Sequence, residues 1–233
     1  MAQRFEPAES LDDFPTPPWA TRALVEHVIG PDTTKALHCL EPACGRGYMA
    51  AALNEYFGHV TASDVAMYGY AAPKDFLTYP DTEMCDWMIT NPPFKLAEEF
   101  VLKALPMSRV GVAILVRTVF IESVGRLERV FSKFPPTYFA QFAERVPMVR
   151  GRVDRKASTA TGYAWIVWKK PPAQQTQLVW IPSCRKKLER DADYEADFLR
   201  RERLSKPSQL TVQVDLFAGG LDGRDVGPRE AVG

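Results

Sequence analysis

Asn91-Pro92-Pro93-Phe94 closes the run Cys85 to Thr90 with a rigid tip that is polar and then aromatic. Such a tip suits chemistry on an amino group conjugated to a ring. That nitrogen is a poor nucleophile until acceptors hold its N–H groups and draw it toward tetrahedral geometry. The Asn91 side-chain oxygen and the Pro92 carbonyl are candidates for those acceptors. Two successive prolines fix φ and remove N–H donors, so the carbonyls stay aimed and no backbone donor competes for the amine. Phe94 can stack on a planar ring. Taken alone, the tetrapeptide is also an ordinary turn, because Asn and Pro favour turns.

A second constellation precedes it. Glu41-Pro42-Ala43-Cys44-Gly45-Arg46-Gly47 follows the short apolar run Ala36 to Leu40, and Asp64 ends the next apolar stretch. Gly45 and Gly47 permit positive φ and leave room for a ligand against backbone N–H groups, at the strand-to-helix crevice where doubly wound sheets bind ligands. A carboxylate at Asp64 can accept hydrogen bonds from both hydroxyls of a ribose. Gly45 to Ala50 also satisfies the dinucleotide pattern G-x-G-x-x-G/A. Glu41 argues against a dinucleotide. An acid leading into the turn repels a pyrophosphate and pairs with a cationic amine, such as the methionine end of S-adenosylmethionine. Lys74-Asp75-Phe76-Leu77 offers a carboxylate, Asp75, for an adenine amino group and an aromatic face, Phe76, for its ring. An Asp in a turn is usually just a turn residue, and that is the competing reading of Asp75.

These residues need a scaffold, and the chain reads as an alternation of strands and helices. Thr16-Pro17-Pro18-Trp19 opens a first helix with a Thr cap and prolines in the first turn, and Gly30-Pro31 stops it. Strand Ala36–Leu40, helix Tyr48–Phe57 and a strand ending at Asp64 follow. A third strand is expected before Lys74. Strands at Trp87–Thr90 and Val110–Val116 flank a helix in KLAEEFVLKAL, and a further helix is expected over Ile121–Phe131. The pattern predicts an α/β fold, a doubly wound and mainly parallel sheet. Tyr138–Val149 and Gly162–Lys169 would add a C-terminal antiparallel hairpin, and the catalytic domain, residues 1–170, would end near Lys170.

Composition sets the outer limits. The 233 residues are 46% apolar, enough for one sizeable core, and Lys plus Arg equals Asp plus Glu at 29 each. Contact with nucleic acid must therefore come from local clustering of charge. The four cysteines and three histidines show no metal-ligand spacing, so neither a metal nor a disulfide is expected. No apolar run approaches the roughly 20 residues of a membrane span, and a cytoplasmic protein is expected. Residues 171–233 form a charged extension that ends in a Gly-rich tail with disordered composition.

Thr16-Pro-Pro-Trp19, Glu41-Pro-Ala-Cys-Gly-Arg-Gly47, Asp64, Asp75-Phe76 and Asn91-Pro-Pro-Phe94, in that order, resemble the amino-group methyltransferases of the Rossmann class, specifically the phage-type DNA adenine-N6 methyltransferases. The resemblance spans about residues 13 to 170. It implies the class I methyltransferase fold with S-adenosylmethionine as cofactor. It further implies that the first element and the glycine turn surround the methionine end, Asp64 holds the ribose, Asp75 and Phe76 bracket the adenine, and Asn91 with Phe94 grips a flipped base. The last motif position is more often Tyr in that family, and Phe also occurs in relatives that methylate guanine-N2 in RNA or other amino groups. RNA and protein acceptors thus stay open, as does a non-catalytic cofactor-binding adaptor.

A DNA substrate would need to flip its base and have flanking phosphates held. Arg145, Arg150, Arg152, Arg155 and Lys156 form a candidate strand-binding loop, or else a solvated charged one. Gln213-Val-Asp-Leu216-Phe217 resembles the motif that binds the bacterial sliding clamp, with an edge strand or packing on the core as the competing reading.

Overall fold

The computed structural model describes residues 12–80 and 82–194. Gln213, Leu216 and Phe217 lie outside the described residues. Seven strands form one sheet in the order β2-β1-β3-β4-β6-β5-β7. They are β1 His38–Glu41, β2 His59–Ala62, β3 Cys85–Thr90, β4 Ser108–Arg117, β5 Tyr138–Phe142, β6 Tyr163–Lys169 and β7 Gln177–Ile181. Only β6 runs against the others, pairing antiparallel with β4 on one side and β5 on the other. The expected mixed sheet with its late antiparallel hairpin is therefore present. No full strand precedes Lys74: residues 65–75 are irregular, and the sole trace of pairing there is a parallel bridge between Asp64 and Pro73.

The central strands are buried on both faces, and their side chains alternate between two cores. Trp87, Ile89, Ala113, Leu115, Trp165 and Val167 meet helices α1 (Pro18–Leu24) and α2 (Tyr48–Leu53). Met88, Val112, Ile114, Val116, Ile166 and Trp168 meet α3 (Ala97–Met107). α1 continues as a π-helical turn over Val25–Ile29 and stops at Gly30, whose φ of 98° suits glycine. Its N-cap is Pro17, with no side-chain cap, rather than Thr16. The expected helix over 121–131 starts late: Thr118–Ile121 is a 3-10 turn, and α4 (Val124–Arg126) begins where the Ser123 hydroxyl accepts from the Arg126 N–H. A π-helical turn, Leu127–Phe131, completes it.

The sheet does not stop at Lys170. β7 adds to β5 in parallel, and α5 (Arg185–Leu188) and a 3-10 turn, Asp191–Tyr194, pack back toward α1. The tie is Arg22, which is only 1% exposed. Its guanidinium donates to both Asp193 carboxylate oxygens at 2.8 Å, to Glu55 at 2.8–3.2 Å and to the Leu188 carbonyl at 2.7 Å. Burial alone would weaken its hold on the proton, but Asp193 and Glu55 more than offset that, and the group stays charged. Asp193 is itself completely buried. Removing Arg22 strands buried Asp193 without a counter-charge, while Glu55 keeps Arg190 at 2.9 Å. Arg22→Ala should destabilise the protein by about 3–5 kcal/mol, measured as a lowered denaturant midpoint. Wild-type stability in that variant would show that the network contributes nothing net.

Candidate functional site

Strands β1 and β3 end at a common edge of the sheet beside the loop that follows β2, and the residues just beyond them line one cleft. Its walls include Thr16, Glu41, Gly45, Asp64, Asn91 and Pro93. The cleft is open to solvent, and its empty space is about 590 Å³ with the open mouth included. Glu41, the last residue of β1, is 1% exposed, and its Oε2 has no hydrogen-bond partner. Burial, reinforced by the nearby charge of Asp64, pushes this carboxyl well above the usual carboxylate range. Thr16 Oγ1 is likewise buried without a partner. Arg46 Nε is a third such atom on the cleft, and because buried polar atoms are seldom left unsatisfied, the three are positions where an outside ligand would bond.

The glycine turn is built around Asp64. One carboxylate oxygen accepts from the Gly45 N–H at 2.8 Å and the other from the Ala66 N–H at 2.9 Å. Each oxygen keeps a second acceptor site. Burial raises this carboxyl too, against those two hydrogen bonds. Gly47 has φ 85° and lies beneath the Tyr70 ring, where an added Cβ would come within 2.2 Å. Only glycine fits there.

Residues 12–15 lie over Asn91-Pro92-Pro93-Phe94. The Asn91 Nδ2 donates to the Phe14 carbonyl at 3.0 Å, and the Phe94 N–H donates to Asp12 Oδ2 at 2.8 Å. A carbonyl can only accept, so the first bond orients the amide. Nitrogen is committed to the backbone, and Oδ1 remains as the acceptor. Asp13 pairs with Arg46 at 3.0 Å. Among the residues lining the cleft, Asp12, Asp13, Glu41 and Asp64 therefore face the single guanidinium of Arg46. A cation is favoured there over a pyrophosphate.

No protein-family model matches the chain, and no curated protein does. Solved structures do. The modification subunit of a putative type I restriction enzyme from Vibrio vulnificus aligns with a TM-score of 0.56 at 16% identity, over 85% of this chain and 53% of that one. The methyltransferase subunit of a type I restriction-modification system from Streptococcus thermophilus aligns at 0.58 and 9% identity, over 83% and 53%. A putative RNA methyltransferase from Pyrococcus horikoshii aligns at 0.54 and 16%, over 70% and 88%. The chain has the class I methyltransferase fold. It spans about half the length of the two type I subunits.

On that fold, Thr16, Glu41, Ala43, Gly45, Asp64, Asn91 and Pro93 come together on the cleft. Pro17, Pro42 and Pro92 are buried beside it without lining it. Trp19 was expected to take part in cofactor binding but is fully buried core, edge-on to Phe142. Phe76 is buried beneath Phe100 and Tyr79, and exposed Asp75 caps its own 3-10 turn by accepting from the Leu77 N–H; neither lines the cleft. Phe94 faces a neighbouring pocket, with the Arg117 guanidinium 4.2 Å from its ring centre.

Of the basic loop, Arg155 is engaged by Asp191 and stacks on Tyr194, and Arg152 pairs with Asp154. Arg145, Arg150 and Lys156 are exposed and form no ion pair among the described residues. Asp12, Asp13, Phe14 and Tyr68 are cleft residues that the sequence reading did not select. The acids and the aromatic immediately before Thr16-Pro-Pro were the available signal. No helix among the described residues is long and apolar enough to cross a membrane.

The buried acids make stability depend on pH. A carboxyl raised in the folded state contributes its full stability below its ordinary value near 4. That contribution is lost as pH rises toward the folded-state value. The ligand-free protein should therefore lose thermal stability from mildly acidic to neutral pH, and Glu41→Gln should flatten the decline. An unchanged profile in that variant would mean Glu41 is not the group responsible.

Proposed function

We propose that the chain transfers a methyl group from S-adenosylmethionine to an exocyclic amino group, with N6 of adenine in DNA as the acceptor. One observation carries this reading: a buried acid with one oxygen unpartnered, Glu41, and an amide whose nitrogen is committed to the Phe14 carbonyl, Asn91, line the same cleft. The donor supplies an electrophilic methyl on a sulfonium and needs no covalent intermediate on the protein. The donor's ammonium, once in place, favours the ionised form of Glu41, which then answers that charge, and the Gly45 turn with Asp64 takes its nucleoside. Asn91 Oδ1 and the Pro92 carbonyl hold the N–H groups of the acceptor, and Phe94 stacks on its ring. Holding both reactants in contact accounts for much of the acceleration.

The DNA assignment draws on the Asn91-Pro-Pro-Phe94 motif and on the type I modification subunits among the structural neighbours. The Pyrococcus neighbour, which the chain covers for 88% of its length, favours an RNA base as the second reading. Asn91→Ala should lower turnover by 100-fold or more, on the order of what loss of a transition-state hydrogen bond costs. Cofactor affinity should be retained. Labelled methyl donor offered with DNA, RNA and protein, followed by digestion, identifies the product. N6-methyladenine in DNA is expected, whereas N2-methylguanine in RNA alone would transfer the assignment to the second reading.

A further inference from the structure

Beside the transfer motif, Phe94, Val116, Arg117, Val119, Phe120 and Arg126 line a second pocket. Two guanidiniums in it lie over aromatic rings: Arg117 is 4.2 Å from the centre of Phe94, and Arg126 is 4.5 Å from that of Phe120. Their situations differ. Arg126 is anchored, because its Nε donates to the Phe120 carbonyl at 2.6 Å. Arg117 Nε is buried and has no partner, and Arg117 makes no ion pair among the described residues. Among the described residues, stacking on Phe94 is the one interaction of the Arg117 guanidinium. It occupies a face of the ring on which, in the reading above, a planar acceptor must stack.

An unsatisfied buried donor is costly, and a planar cation held only by stacking is easily exchanged for another planar group. We propose that Arg117 is the acceptor-side anchor of this site: it covers Phe94 in the free protein, yields that face to the incoming base, and then donates its N–H groups to the phosphate of the same nucleotide. This rests on the reading of Phe94 as the base-stacking residue. Guanidinium matches phosphate in both geometry and charge. Arg145 extends the cationic surface, since its Nη1 lies 3.1 Å from where a Cβ on Gly162 would stand, next to Thr118. Exposed Val119 and Ile121 offer apolar contact at the same rim. A protonated protein amine would be repelled by this pair of arginines, so the pocket favours a nucleotide.

The test uses the full chain, labelled S-adenosylmethionine, and random-sequence DNA and RNA pools at several salt concentrations. Arg117→Gln should raise KM for nucleic acid about tenfold and reduce the slope of log KM against log salt by about one, the loss of one phosphate contact. Its kcat should change less than KM, and its cofactor affinity should match wild type. Arg117→Lys should restore the salt slope, since the charge returns, but not the KM, since an ammonium cannot stack as a plane. Nucleic-acid methylation with wild-type KM and salt slope in Arg117→Gln would overturn this inference alone. Methylation confined to protein amines in the wild type would overturn it together with the DNA reading.

Discussion

Arg22 is the constraint on which the arrangement depends. It sits on α1, 1% exposed, and its partners come from the end of the α2 region (Glu55), from α5 (Leu188) and from the last described turn (Asp193). A guanidinium is charged at every relevant pH, so burying it commits the chain to delivering carboxylates there. Asp193, 171 residues away in sequence, meets that demand. α1 is thereby tied to both α2 and the C-terminal segment. The residues immediately ahead of α1 are then placed over the ends of β1 and β3.

That placement turns a backbone segment into part of the site. Phe14 contributes a carbonyl and Asp12 a carboxylate, and together they hold the side chain of Asn91 and the backbone of Phe94. The prolines at positions 92 and 93 have no N–H to offer, so Phe94 is the first residue after Asn91 with a backbone donor to satisfy. Asp12 satisfies it, so the turn is held from outside as well as by its own bond from the Leu96 N–H to the Pro93 carbonyl at 2.9 Å. Rigidity of this kind matters because an acceptor aimed at an amine must already stand in place when the amine arrives.

Much of the fold was legible because the inner strands are buried on both faces and read as apolar runs: Trp87–Thr90, Val110–Val116 and Gly162–Lys169 all became strands. β7 was passed over although Leu178-Val-Trp-Ile181 is apolar. It follows the Pro171-Pro172 break, and as an edge strand it buries only Ile181. Contacts at long separation left no local trace, and the Arg22–Asp193 pair is the clearest case. Glu41, Gly45, Asp64 and Asn91 come to one cleft because each lies at or just beyond a strand end, a position that the alternation of strands and helices makes legible. Trp19 was misplaced because an aromatic near a motif reads the same in sequence whether it packs inward or faces a ligand. Its burial against Phe142 is a property of the assembled core alone.

The charge of the site is divided in space although the chain's net charge is zero. Carboxylates gather at the ends of β1 and β2 and on the segment before α1: Glu41, Asp64, Asp12 and Asp13. Guanidiniums gather at and beyond the end of β4: Arg117 and Arg126, with Arg145 alongside. Asn91 to Phe94 lies between the two, with Asn91 on the acidic cleft and Phe94 on the basic pocket. Over such short distances, and partly shielded from solvent, this division is weakly screened by salt. Under the proposed function, a cationic donor and an anionic acceptor, each drawn to its own side, would meet at Asn91 to Phe94. Net neutrality is then no obstacle to handling a polyanion, because selection between the two halves is made locally by charge of opposite sign.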